Sequence, residues 1–220
     1  MNKTETEYSI AELKSRQGLY RLFNRLLSKE IDQQFLGELR EPGLSAAIHQ
    51  LGLYLDEWPK PDKKTLEQLA IEFTRLFLGP GKHISPHESV QIAQDGTLNN
   101  GTTASVGQFI EVAGFKFTAD SKKYPDHICS EFEFMEALLS KQIEAIENTD
   151  IEEAETSKML QEEFLHRHLI RWIPQFCAQI EQSATLAFYK ALGSTLSKFV
   201  QIEYEYLVEK GDQNQKFCAL

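Results

Sequence analysis

The chain has 220 residues and a net charge of −10, with 33 acidic against 23 basic side chains, which disfavours nucleic acid as a partner because phosphates need clustered Lys and Arg. At 41% hydrophobic and 10% aromatic it has the material for the core of one globular domain and is not of disordered type. Three cysteines, Cys129, Cys177 and Cys218, with no C-x-x-C, argue against a disulfide framework or a zinc ribbon and fit a reducing compartment. No apolar run reaches the roughly 18 residues of a membrane span. The opening MNKTETEYSIAEL is acidic and lacks the apolar stretch of a signal peptide, so a soluble, cytoplasmic protein is expected.

Helical periodicity runs through most of the chain. Ser9 and Glu12 form an S-x-x-E capping box, and Ile10, Leu13, Tyr20, Phe23 and Leu27 then share one helix face. Leu44, Ile48, Leu51 and Leu55 make a second stripe. WPKPD (58–62) interrupts it and offers Asp62 as the N-cap of a third, with Leu66, Leu69, Phe73 and Phe77, which Gly79-Pro80-Gly81 stops. Residues 79–103 hold glycine and proline with little period and read as one long loop, where function tends to concentrate. Helix resumes near Ala104. TADSKKYP (118–125) is a polar connector and the predicted hinge. From Asp126 a helix buries Ile128, Phe132, Met135, Leu139, Ile143 and Ile146, with Glu131, Glu136, Lys141 and Glu147 off that face. Two long helices follow, one through Leu160, Phe164, Leu169, Trp172, Phe176 and Ile180, the other through Phe188, Phe199 and Tyr206, before the frayed tail KGDQNQKFCAL. The expected fold is all-α, a single bundle-like domain of roughly eight to ten helices. It spans 1–220 and is divisible into 1–117 and 126–210 at the hinge.

Enzyme motifs fail on inspection. A phosphate loop at Gly81-Lys82 needs glycine at Leu76 and Ser or Thr at His83. A hydrolase elbow at Ser105 needs glycine where Thr103 stands. A ferritin-like metal oxidase needs two E-x-x-H pairs, and only Glu163–His166 is present. No cofactor or metal is expected, and the expected class is a binding protein.

Asp126 precedes a helix, so capping its own N-terminus through the amides near His127 to Cys129 explains the residue structurally. The neighbouring His127 is not explained that way. DHICSEFEFM resembles the D-H-[IL]-x-x-E-[LF]-E-F-M signature of the TorD/DmsD/NarJ family of redox-enzyme maturation chaperones. Upstream, EFTRLFLGPGKHISPHES is similar to that family's E-x-x-x-L-F-x-G-P followed by P-[YH]-x-S, matching Glu72, Leu76, Phe77, Gly79, Pro80, Pro86, Glu88 and Ser89. HLIRWIP resembles H-L-x-x-W-x-P through His168, Trp172 and Pro174. The three motifs lie in order within residues 72–174, and His87 stands where the family often has tyrosine.

The resemblance implies an all-helical cytoplasmic chaperone that binds an apo-molybdoenzyme and its twin-arginine leader, most like the TorD branch that serves TMAO reductase, and helps molybdenum cofactor insertion before export. It also admits a homodimer by exchange of helices. A receptor for a cationic leader with an apolar body needs carboxylates beside an apolar groove. The residues expected to form it are Asp126, His127, Glu88, Ser89, Glu131, Pro86 and Glu72, with Leu76, Phe77 and Trp172 as lining beside Phe132. Leu76, Phe77 and Trp172 equally suit a plain core. The expectation requires that the 79–89 turn and the 126–131 helix entry meet.

Overall fold

The computed structural model describes residues 3–39, 62–79, 81–93, 96–116 and 124–218, with side chains from 10 to 207 within those spans. The second predicted stripe (44–55) and most of the predicted hinge lie outside them. The elements are α1 (Lys3–Ser28), α2 (Gln33–Glu38), α3 (Lys63–Phe73), α4 (Glu88–Ile92), α5 (Gly101–Val112), α6 (Ile128–Glu147), α7 (Ile151–Phe164), α8 (Ile170–Ser183) and α9 (Ala187–Cys218). Single π-helical turns extend α3 over Thr74–Leu78 and join α7 to α8 over Leu165–Leu169. The fold is an all-α single domain.

Helix boundaries follow local chemistry where a cap exists. The Asp62 carboxylate accepts from the Thr65 amide at 2.9 Å and starts α3 as expected. Asp150 starts α7 in the same way, accepting from Glu153 N at 3.1 Å, after Asn148 and left-handed Thr149 (φ 59°) close α6. Three expectations are corrected. α1 begins at Lys3, so the Ser9–Glu12 box is inside a helix and not at its start. The long 79–103 loop contains α4. The tail expected to fray stays helical to Cys218, as the end of α9.

The core is assembled around α6, which packs against α1 on one side and α7 on the other. Two buried sides explain why its interior residues exceed a single stripe: Phe134, Leu138, Gln142 and Ala145 are buried along with Phe132, Met135 and Leu139. Tyr20 of α1 sits edge-on between Phe132 and Phe199, at 5.5 and 5.0 Å between ring centroids. α8 and α9 form an antiparallel pair close enough that a side chain at Gly193 would place its Cβ 2.9 Å from the Cys177 carbonyl oxygen. Phe77 packs on Phe176 and Tyr189, which ties the end of α3 to that pair. Cys129 and Cys177 are buried thiols that form no disulfide. Among the described residues no helix is long and apolar enough to cross a membrane.

Candidate functional site

The loop before α4 and the head of α6 meet in a short backbone seam. His87 and His127 form an antiparallel bridge, in which the Glu88 amide donates to Asp126 O and the Ile128 amide donates to Pro86 O, each at 2.9 Å. The loop is also tied back to α3, since Ile84 N donates to Leu76 O at 2.7 Å. The two motif segments that the sequence separates by some forty residues are therefore neighbours, locked by main-chain bonds that do not depend on side-chain identity.

Asp126 does not cap its own helix. His127 is the N-cap of α6, its Nδ1 accepting from the Cys129 amide at 3.1 Å. That role requires an unprotonated Nδ1, so the proton of the neutral ring is on Nε2. Asp126 instead caps the other segment: its Oδ2 accepts from Ser89 N at 3.0 Å, while its carbonyl takes the Glu88 amide. α4 has no capping side chain of its own, because His87 makes none, and Asp126 supplies the acceptor from across the seam.

Glu131, expected off the buried face, is wholly buried. Its Oε2 accepts from Trp172 Nε1 at 3.1 Å. Glu88, also wholly buried, pairs through Oε2 with His168 Nδ1 at 2.9 Å. Burial pushes the Glu131 carboxyl well above the usual carboxylate range. The neighbouring Glu88 and Asp126 add to the rise and the Trp172 N–H opposes it. Burial also lowers the His87 imidazole, with Asp126 partly opposing and His83 adding to the shift.

The outer face of the seam is aromatic. His87 meets Tyr124 at 5.8 Å and His127 at 4.9 Å between ring centroids, both edge-on. Both imidazoles are half-buried and Tyr124 is exposed. The centre thus has acids inside and a ring-lined rim outside.

The remaining expected residues are placed elsewhere. Leu76, Phe77, Phe132 and Trp172 are core side chains and do not line an open groove; Trp172 touches the site from within, through its indole N–H. Glu72 is directed to the entry of α9. It accepts from Thr185 Oγ1 at 2.9 Å and from the Thr185 and Leu186 amides, capping the entry to α9, and it pairs with Arg75 at 2.9 Å. Burial opposes the charge of Glu72, but Arg75 and the Thr185 and Leu186 donors outweigh it and hold the carboxyl at about 2. His168, which the third motif contains but the expected site does not, partners Glu88. Its spacing of four from Trp172 is the available signal, since residues four apart share a helix face.

Glu163 is ion-paired with Arg167, and His166 Nδ1 contacts the Tyr204 hydroxyl at 3.1 Å. Among the described residues no three His, Cys, Asp or Glu side chains converge as metal ligands.

Comparison with known proteins agrees with the motifs. The nitrate reductase delta subunit family model matches residues 38–178. The chaperone protein TorD of Vibrio atlanticus (strain LGP32) is 29% identical over 206 residues, covering 87% of this chain and 94% of the relative. A selenate reductase assembly chaperone protein of Thauera selenatis is 30% identical over 154 residues, covering 68% of this chain and 75% of its own. A chlorate reductase assembly chaperone protein of Ideonella dechloratans is 32% identical over 152 residues, covering 68% and 74%. A family model spanning well over half of the chain, on an all-helical fold that joins the motif segments, means that the chain belongs to the nitrate reductase delta subunit family, the TorD/DmsD/NarJ family its motifs resemble.

Proposed function

We propose that this protein is a cytoplasmic maturation chaperone for an exported molybdoenzyme, which binds the apo-enzyme and its twin-arginine leader at the seam and assists cofactor insertion before export. The relatives named as TorD or as reductase assembly chaperones support the chaperone role. The TorD relatives align over 84 to 90% of this chain and the selenate and chlorate relatives over 68%, which favours a client of the TorD kind, a TMAO reductase.

The observation that carries the reading is the His87–His127 bridge. It brings both motif segments to one place and leaves His87, His127 and Tyr124 on its outer face. Guanidinium groups stack on such rings and are drawn by a net negative protein. On this reading Asp126, Glu88, Ser89 and Glu131 shape the site from beneath, Pro86 supplies a seam carbonyl, and Trp172, Leu76 and Phe77 hold its floor. Glu72 is a more distant support.

The test is calorimetric titration with a synthetic twin-arginine leader. His87→Ala with His127→Ala, and separately Asp126→Ala, should each weaken binding about tenfold or more with helical circular dichroism kept. A leader with both arginines replaced by lysine should also bind less well, because lysine lacks the planar face. Unchanged affinity in the correctly folded histidine variant would remove the seam as the binding site.

A further inference from the structure

Glu88 and Glu131 are neighbouring, wholly buried acids inside the seam, and each has one oxygen already engaged, by His168 and Trp172 respectively, which stand four residues apart on one helical stretch. The other oxygen of each, Glu88 Oε1 and Glu131 Oε1, is buried without a donor. Asp126 Oδ1 is in the same condition nearby. Two ionised carboxylates in contact would repel in a medium of low dielectric and leave four lone-pair sites unsatisfied. A single proton shared by the two carboxyls eases both problems, because it removes the repulsion and turns one acceptor into a donor.

We propose that Glu88 and Glu131 form an acid pair that shares one buried proton, and that loss of this proton loosens the seam between the α4 loop and the head of α6. The inference does not depend on what the seam binds.

The surroundings favour retention of the proton. Glu88 and Asp126 act on Glu131 as acids, and Trp172 is a neutral donor. His168, from the π-helical turn, is the imidazole bonded to the pair. From the α5 side the seam meets the neutral Asn100, whose side-chain amide donates to Ser89 O. The charges that α1 and α7 bring to α6 are paired further along it, Arg21 with Glu136 and Lys141 with Glu153. The His168 ring also lines a surface cavity of about 380 Å³ between α5 and α7, together with Phe109, Leu160 and Arg167. An imidazole bonded to Glu88 at one nitrogen and bordering that cavity gives the proton a route to solvent.

An acid raised on folding is protonated where the unfolded chain is ionised, so stability falls as pH rises from the ordinary carboxyl range toward the folded value. In that window each pH unit multiplies the unfolding constant about tenfold. Urea unfolding of the wild type and Glu131→Gln at about pH 5, 6 and 7 isolates this effect, since the other titrations are common to both. The ratio of unfolding constants, wild type to variant, should rise about tenfold per unit. Isotope-edited infrared spectroscopy of glutamate-labelled wild type at neutral pH should show a protonated carboxyl band that Glu131→Gln removes. The band is read on the wild type, so it decides the matter even if the variant does not fold. Parallel stability curves, or no such band, would overturn the proposal.

Discussion

Asp126 Oδ2 accepts the amide hydrogen of Ser89 at 3.0 Å, so the acid at the head of α6 caps α4. The residue that marks the motif in the sequence is thus the one that holds the other motif segment in place.

Replacing Asp126 by alanine should lower stability by about 1–2 kcal/mol, the scale of a lost cap plus a buried amide left unpaired. Urea unfolding measures the loss. Amide hydrogen exchange locates it: protection should fall at Ser89, while Glu88, bonded to the Asp126 main chain, and the first amides of α6, capped by His127, should change less. Loss confined to residues 129–131 would contradict the cross-seam cap.

Glu72 acts as the cap of α9, and its carboxyl is lowered from 4.5 to about 2. A lowered folded value contributes stability that is present above the unfolded value and lost as pH falls through the folded one. Glu72→Gln should cost roughly 2–3 kcal/mol at neutral pH. Its gap from wild type should close between about pH 4.5 and pH 2, as read from thermal melts along a pH series.

At Gly193 α8 and α9 approach closely: a methyl added there would meet the Cys177 carbonyl oxygen at 2.9 Å and Glu181 Cγ at 3.0 Å. Since the obstacle is backbone, Gly193→Ala should destabilise by about 1–3 kcal/mol. Gly18, in α1, has nothing within 4 Å of the same position, and Gly18→Ala should stabilise by about 0.5–1 kcal/mol through helix propensity. Melting temperatures of the two variants should move in opposite directions.

Arg16 forms two 2.8 Å bonds to the Glu203 carboxylate, which also accepts from the Tyr20 hydroxyl at 3.1 Å, joining α1 to α9 inside the core. Glu203→Ala should cost about 3–5 kcal/mol by leaving a buried guanidinium unpaired. The double replacement Arg16→Met with Glu203→Leu should recover most of that loss, measured by urea unfolding. A double variant as unstable as the single one would show that the pair itself, and not the stranded charge, supports the fold.

Much of the helical layout is legible from periodicity. The α6 stripe from Ile128 to Ile143 and the start of α3 at Asp62 are local signals, repeated every three or four residues or written in one capping side chain. Periodicity misplaces Glu131 because its position falls outside that stripe. The pattern finds one buried face, and α6 has two, set by α1 and α7 together. α4 escapes it because five residues carry too little pattern and its cap comes from elsewhere in the chain.

By itself, the sequence determined the helical class, most helix positions and, through three short motifs, the family. These are properties of residues close together in the chain, where side-chain spacing and capping act directly. Only the tertiary structure decided which polar groups meet: Asp126 with Ser89, Trp172 with Glu131 and Thr185 with Glu72 pair across 37, 41 and 113 residues. Such pairs form because a buried donor or acceptor must find a partner wherever packing puts one, and a linear pattern carries no record of that encounter.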